Sequence, residues 1–255
     1  MLALAVILIL VGAVPCLIGV IFLYHELKRR RTAALIARAP TSPASAVAGM
    51  RPGQLVEVTG TLRCAKPIRS ELARLPCAHY GAWVERTYQR NERDADDNVT
   101  TVERTEMLGA VARGTPFFVE DASGRVRVNP EGAGVDGRRV YDDFKEQPAQ
   151  ARMKLGGKTV ELNYGLETRG YRMYEDILEL DAPVYVLGVV TDDGSIGRPP
   201  KASSDADFII SYRSEADLAR AHQGDRLIFW CGVGALAGGG LLVLIGVAAG
   251  LIWAL

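Results

Sequence analysis

The stretch "ELARLPCAHYGAWVERTYQR", Glu71 to Arg90, decides how the central part of this chain folds. From His79 onward it is rich in aromatic and β-branched residues, which favour a strand over a helix. It therefore predicts a strand. The same stretch places four chemically versatile side chains within seven positions, and these are the candidate ligand-binding residues: Cys77, His79, Tyr80 and Trp83.

Two interpretations of Cys77 are open at this point. On a strand, Cys77 and His79 would share a face about 6.6 Å apart, so the histidine could act as the base for a nucleophilic thiol. Alternatively, Cys77 is a small buried core residue, with Ala78 and Tyr80 on the opposite face. Because the stretch contains no third group to orient the histidine, we favour the packed strand and expect no catalytic residue.

Further strands are predicted on both sides of this stretch. "LVEVTGTLRC", residues 55–64, alternates apolar residues, and its Gly60 indicates a bulge or bend. "TPFFVEDASGRVRVNP", residues 115–130, predicts a hairpin around the turn "DASG". Two strands follow in residues 169–190 and a last one in "ADFIISYRS", residues 206–214. The middle of the chain is thus predicted to be mainly β.

Polar segments offer weaker signals. "NERDADDNVTTVERTEM", residues 91–107, is charged enough to be a solvated loop or a twisted hairpin arm. The carboxylates of "YEDILELD" could bind a cation, but strand alternation divides them between two faces, so a solvated edge is favoured and no metal site is expected. These carboxylates are Glu175, Asp176, Glu179 and Asp181.

The glycine-rich segments "EGAGVDG" and "DGSIG" are the other candidates for ligand binding. Neither leads from a strand into a helix with a phosphate-binding pattern. We therefore expect no cofactor.

Two long apolar runs flank the middle of the chain. Leu2 to Tyr24 is 23 residues without a charge, and Leu227 to Leu255 is a second such run of 29. At ~1.5 Å per residue, each would cross the ~30 Å hydrocarbon core of a bilayer. A cleaved signal peptide is the alternative for the first run, but that run lacks a basic n-region and is too long for an h-region. Both runs predict membrane spans.

The basic residues predict the orientation of these spans. Lys28 to Arg31 follow the first run and Arg226 precedes the second, so the positive-inside rule places the middle of the chain in the cytoplasm. Only Cys64 and Cys77 lie between the spans, too few for a disulfide scaffold. Arginine outnumbers lysine 24 to 6, which is typical of a GC-rich bacterial coding sequence. The prediction is an integral membrane protein, in the plasma membrane if the source is bacterial.

Small residues in the spans indicate helix packing, either between the two helices or between subunits. They are Gly12 and Gly19 in the first run and Gly234, Gly238, Gly246 and Gly250 in the second. The 30 basic and 30 acidic side chains balance, which argues against nucleic acid as a partner. The expected partners are membrane lipids, and a protein or a second copy of the chain through the glycine-rich second span.

The order of "VTGTLR", "LPCAHYGAWVE", "TPFFVEDASGRVRV", "EDILELDAPVYVLGVV" and "FIISYRSEADL" between two spans resembles the GIDE domain. This domain, also called BAM or beside-a-membrane, is known from a mitochondrial ubiquitin ligase with two spans and a C-terminal RING finger. The resemblance covers residues 1–255. A RING finger needs about eight Cys and His ligands, and the middle of this chain offers Cys64, Cys77 and His79. We therefore expect a member without the RING finger, whose ligase name would be inherited from the family.

The sequence predicts an α+β fold in which two transmembrane helices flank a mainly β soluble domain. The expected function is a membrane-tethered binding or sensing module at the membrane surface. The alternatives are a ubiquitin transferase of the ligase family and a structural membrane scaffold. The predicted segments are a first span (1–24), a juxtamembrane helix and linker (25–52), the β-rich GIDE-type domain (53–213), a juxtamembrane helix (214–226) and a second span (227–255).

Overall fold

The computed structural model describes residues 7, 10–24, 26–27, 41–93, 97, 99–146, 152–162, 167–199, 208–214, 217 and 226–254. The chain forms two compact units, Met1–Arg38 with Glu215–Leu255, and Ala39–Ser214. The second unit is built mainly of strands, so the predicted α+β class with a mainly β domain is confirmed. Most of the two predicted juxtamembrane helices lies outside the described residues.

The first unit contains helices α1 (Leu10–Tyr24) and α3 (Arg226–Ala254), and the second contains the short helix α2 (Ala44–Val47). The strands are β1 (Leu55–Arg63), β2 (Ile68–Arg69), β3 (Pro76–Arg93), β4 (Val99–Gly114), β5 (Phe117–Asp121), β6 (Gly124–Val128), β7 (Gly134–Asp136), β8 (Arg138–Lys145), β9 (Arg152–Leu155), β10 (Lys158–Glu161), β11 (Thr168–Glu179), β12 (Pro183–Val190), β13 (Ile196–Gly197) and β14 (Ile209–Ser211).

Five of these strands close into a barrel. β1 pairs antiparallel with β12 and with β5, and β5 forms a hairpin with β6. β6 then runs parallel to β13 at the Val128–Ile196 pair, and β13 pairs back with β12. In chain order, the parallel contact joins the third and fifth barrel strands. This connectivity is typical of the five-stranded OB-type Greek-key barrel.

The barrel interior is filled by the alternating side chains that the sequence predicted. Val56, Val58 and Leu62 of β1 are buried in one cluster with apolar residues of β5, β6 and β12. A Cβ on Gly60 would lie 2.5 Å from the Glu120 carbonyl oxygen, so this glycine permits a close approach to β5. α2, in a region predicted as linker, adds Ala44 and Val47 to the same core.

Two insertions into the barrel build a second sheet. β2, β3 and β4 lie between β1 and β5, whereas β7 to β11 lie between β6 and β12. β3, which contains the strand predicted over residues 79–90, pairs with β4 on one edge and with β11 on the other, and β8 lies beyond β11. Beyond the sheet, β3 and β4 continue to the Arg93–Val99 pair. Residues 91–93 and 99–107 are therefore part of a hairpin arm, one of the two alternatives predicted for this segment.

In the first unit, α3 contains a 20-residue segment, Phe229–Ala248, that is long and apolar enough to cross a membrane. α1 is apolar but shorter. Among the described residues there is thus one helix of spanning length where the sequence predicted two.

The two helices pack antiparallel through glycines. A Cβ on Gly12 would lie 2.6 Å from the Gly239 carbonyl oxygen, and one on Gly19 would lie 2.9 Å from that of Gly232. Between these contacts, the Cys16 thiol donates to the Leu236 carbonyl at 3.7 Å. Both helices therefore place a glycine every seven residues at the contact, where the absence of side chains lets the backbones approach.

The other predicted packing glycines lie elsewhere on α3. No described atom lies within 4 Å of a Cβ built on Gly234 or Gly238. Gly246 is buried, and Gly250 lies near the end of the helix. Packing of a second copy on the Gly234 side of α3 stays a prediction.

Adjacent glycines provide a test of the helix contact. A Cβ on Gly239 would lie 2.6 Å from the Gly12 carbonyl oxygen, whereas one on Gly240 would have no described neighbour within 4 Å. We expect Gly239→Leu to destabilise the helix pair by ~1–3 kcal/mol through overpacking. The control Gly240→Leu should change the stability of the helix pair by less than ~0.5 kcal/mol. The stability of both variants is measured by thermal melting of the helices in detergent, followed by circular dichroism. An equal loss of stability in the two variants would contradict the Gly12–Gly239 contact.

Candidate functional site

A buried carboxylate fixes the geometry around the predicted site. Glu175 on β11 is fully buried. Its carboxylate accepts hydrogen bonds from three consecutive backbone N–H groups, those of Glu71 at 2.6 Å, Leu72 at 2.9 Å and Ala73 at 2.8 Å. These bonds satisfy a charge that would be unfavourable without partners in the interior. The turn before β3 is thereby attached to β11.

The side chain of Glu71 extends this network. It accepts a hydrogen bond from the Tyr80 hydroxyl at 3.1 Å and another from the Gly156 N–H, in the turn between β9 and β10, at 3.1 Å. The β9–β10 hairpin covers this face of the sheet with Leu155 and Val160. Tyr80, a predicted ligand-binding residue, is therefore a core side chain with a fixed hydroxyl.

Cys77 is a packed thiol. It is fully buried, and its Sγ donates to the Ile68 carbonyl at 3.7 Å. Burial, followed by the nearby carboxylate of Glu175, raises the pKa of Cys77 to about 12. Burial also lowers the pKa of His79 to about 4, so this imidazole is neutral at physiological pH. A buried neutral thiol is a poor nucleophile, and so weakly basic a histidine would be a poor base for it.

The predicted distribution of these side chains between faces is wrong. Cys77 packs in the same core cluster as Tyr80, whereas Ala78 packs in the barrel core. The reason is a register shift opposite Ala78, between Leu178 and Glu179, which inserts an extra residue into β3. A bulge of this kind reverses the alternation on one side of it.

The opposite face of the sheet carries an aromatic stack flanked by arginines. Trp83 stacks on Tyr174, with ring centroids 5.2 Å apart and planes inclined by 19°. The Tyr174 hydroxyl donates to Glu85 at 2.6 Å, and burial together with this bond raises its pKa to about 12. The guanidinium carbons of Arg139 and Arg172 lie 4.4 and 5.6 Å from the Tyr174 ring centroid. We call these five residues the aromatic face.

Carboxylates hold both arginines in place. Arg172 donates two hydrogen bonds to Asp142, at 2.8 and 2.7 Å. Arg139 donates to Asp176 and also to Asp142, the latter at 3.1 Å. Hydrogen bonds from Arg172, and then from Arg139, lower the pKa of Asp142. The two guanidinium side chains remain 48% and 42% exposed. The aromatic face is therefore ordered before any partner binds.

The structure thus separates the four predicted residues. Trp83 belongs to the aromatic face, Cys77 and Tyr80 to the core of the sheet, and half-buried His79 packs beside Gly114. Sequence reasoning missed the residues that complete the face. Alternation along "RMYED" places Arg172, Tyr174 and Asp176 on one side of β11, but nothing local indicates that β11 lies beside Trp83.

The acidic cluster forms ion pairs. Alternation separates Glu175 from its neighbours, as predicted, and the other three carboxylates each contact an arginine. The pairs are Asp176 with Arg139, Glu179 with Arg138, and Asp181 with Arg63. Within the described ranges, no group of three or more His, Cys, Asp or Glu side chains is placed to hold a metal ion.

Comparison with known proteins gives one match. A family model described as "GIDE: E3 Ubiquitin ligase" matches residues 84–245, more than half of the chain. The matched range includes β3 from Val84 onward and all of β11. It therefore contains four residues of the aromatic face, Glu85, Arg139, Arg172 and Tyr174, and begins one residue after Trp83. Searches of curated proteins and of solved structures find no match.

The environment of Cys77 predicts its reactivity. With a pKa of about 12, the thiol is about 1 part in 10,000 thiolate at pH 8, and it is fully buried. We expect alkylation of native Cys77 to be slow, to accelerate in urea, and to be unchanged by His79→Ala. Half-buried Cys64 serves as the internal control. Mass spectrometry of labelled peptides measures both sites, and fast labelling of native Cys77 that depends on His79 would contradict the packed arrangement.

Proposed function

The chain belongs to the GIDE family, and from this membership we propose that it is a membrane-tethered binding module whose aromatic face docks a protein partner. The observation that supports this is the Trp83–Tyr174 stack between Arg139 and Arg172. Tryptophan, tyrosine and arginine supply most of the binding energy in protein interfaces. Here they occur together on a sheet face where all four side chains are partly exposed.

Hydrogen bonds already hold the side chains of the aromatic face in place, which favours binding. Association costs free energy when side chains lose rotamer freedom. Glu85 already holds Tyr174, and Asp142 holds Arg172. Phe144, 49% exposed, extends the apolar surface on β8. A partner with its own apolar anchor and a carboxylate could use the ring faces and the free N–H groups of the arginines.

The membrane attachment that we propose has two spans, with the β-rich domain on the cytoplasmic side. α3 is long enough to span, and α1 packs along it through the glycine contacts. Large apolar side chains on the outer surfaces of both helices are exposed, as lipid-facing residues are. They include Leu10, Leu17 and Phe22 of α1 and Trp230, Leu241 and Leu244 of α3. The sidedness rests on the basic residues Lys28 to Arg31.

Ubiquitin transfer is a second candidate, because the matching family model is described as a ubiquitin ligase. Transfer by a RING-type protein requires structural zinc. Stoichiometric zinc in the purified protein, measured by elemental analysis, would favour this candidate over a binding module. A purely structural scaffold would lack the specific partner that the following experiment detects.

The docking proposal is tested by crosslinking in cells. A photoreactive phenylalanine analogue replaces Phe144, beside the aromatic face, or Tyr212 as a control. Tyr212 is 39% exposed and lies against Arg213, so it resembles Phe144 in its surroundings. We expect one discrete adduct from position 144 and none from position 212.

A second variant makes the same test specific. Trp83→Leu removes the stack on Tyr174, and should abolish the adduct at position 144 while native Cys77 still reacts slowly. Adducts of equal yield from both positions, or an adduct that persists in Trp83→Leu, would contradict docking at the aromatic face.

The topology is tested by thiol labelling. Thr100 is exposed on the hairpin arm. In intact cells, Thr100→Cys should resist a membrane-impermeant thiol reagent and react after permeabilisation, because the domain would lie in the cytoplasm. Labelling before permeabilisation would overturn the sidedness.

A further inference from the structure

A second surface, away from the aromatic face, lies on the barrel where β6 and β13 run parallel. The two glycine-rich segments of the sequence meet there, through Gly132 of "EGAGVDG" and Ser195 of "DGSIG". Together with Arg127 and Arg198, and with the carboxylates of Glu131 and Asp193, they line a groove of about 480 Å³. In OB-type barrels, ligands bind on the second and third strands beside the loop that joins the fourth and fifth. Here β6 and residues 191–195 occupy these positions.

The arginines of this groove have no carboxylate partner. Nine other described arginines form ion pairs. Neither Arg127 nor Arg198 forms one with any described residue. The Arg198 side chain packs over Gly132, where a Cβ would lie 2.8 Å from its Cδ. Gly132 has a φ of +76°, so it allows the turn and also the close approach of the arginine.

Some hydrogen-bonding groups of the groove already have partners within the fold, whereas others have none among the described residues. Asp193 accepts from the Ser195 N–H at 3.2 Å, the Ser195 hydroxyl at 2.6 Å and the Thr191 hydroxyl at 2.5 Å. These bonds, and to a smaller extent the charge of Arg127, lower the pKa of Asp193 to about 2. The bonds occupy both hydroxyls in holding the loop. Asn129 accepts from the Glu131 N–H at 3.3 Å, but its amide NH₂ has no partner among the described residues. The groove therefore has free donors, whereas Asp193 Oδ1 is already bonded by its own loop.

From this arrangement we propose that the groove binds a phosphate-bearing ligand through Arg127, Arg198 and the Asn129 amide. With Val128 opposite Ile196, the two arginines lie three residues apart along the seam, about 10 Å. Side chains of their length can reach one anion from both ends, and guanidinium groups match phosphate oxygens in geometry. A soluble phosphate compound and a lipid headgroup with a phosphate monoester share this chemistry.

Isothermal titration of the detergent-solubilised full chain distinguishes the two sources. The probes are inorganic pyrophosphate and the water-soluble lipid dihexanoyl phosphatidic acid. The control is dihexanoyl phosphatidylcholine, a zwitterionic phosphate diester with no net charge. Binding of pyrophosphate indicates a soluble ligand, and binding of phosphatidic acid alone indicates a headgroup; either outcome supports the site. Binding of neither probe, or equal binding of phosphatidylcholine, would overturn it.

Three variants localise the binding. Arg127→Gln and Arg198→Gln should each weaken it at least about tenfold, because each removes a charge-assisted contact. Arg125→Gln is the matched control. Arg125 lies on the same strand but over the Phe118 ring, 4.9 Å from its centroid, and does not line the groove. Slow native alkylation of Cys77 verifies that each variant is folded. Equal weakening by all three variants, or none by the first two, would refute the groove.

Discussion

The ladder between β1 and β12 is the interaction on which the rest of the second unit depends. It joins Leu55–Thr61 to Pro183–Val189 in seven residue pairs and closes the barrel. Both insertions meet the barrel at the Thr61–Pro183 end of this ladder, because β1 leads into β2 and β3 there, and β11 leads into β12. β3 and β11 are therefore delivered side by side, although they lie far apart in the sequence. Arg63, which donates to Asp181 and to Glu120 at 2.8 Å, joins the strands at this corner.

Adjacent residues of β11 then point to the two opposite faces of the second sheet, one buried and the other partly exposed. Glu175 points into the core and receives three backbone N–H groups, whereas Tyr174 points the other way onto Trp83. An apolar residue in place of Glu175 would leave those N–H groups buried without acceptors, which is costly. The buried charge thus fixes one position of the turn before β3, and through it the register that places Trp83 opposite Tyr174.

Local pattern was sufficient to predict much of this fold. Alternation and a recognisable turn identified β1 and the β5–β6 hairpin, and β11 and β12 were predicted as two strands within residues 169–190. Local pattern could not predict β13, which has only two residues, nor the pairing of β3 with β11, since pairing between distant strands leaves no local signal. The extra residue at Ala78 also escaped detection, and it reversed the expected face of Cys77. For the helices, the four-residue spacing rule selected Gly234 and Gly238, whereas the contact uses Gly232 and Gly239 at a spacing of seven.

The sequence also does not show which of its exposed arginines have carboxylate partners, because these partners lie on other strands. Arg172 and Arg127 are both exposed arginines on strands, and the sequence does not distinguish them. On the aromatic face, Asp142 takes up the hydrogen bonds of Arg172 and leaves a flat cationic plane that suits stacking and apolar contact. In the groove, Asp193 Oδ1 is bonded by its own loop, and Arg127 forms no salt bridge with a described residue. The position of the carboxylates, rather than the number of arginines, therefore determines which guanidinium groups are already hydrogen-bonded within the fold.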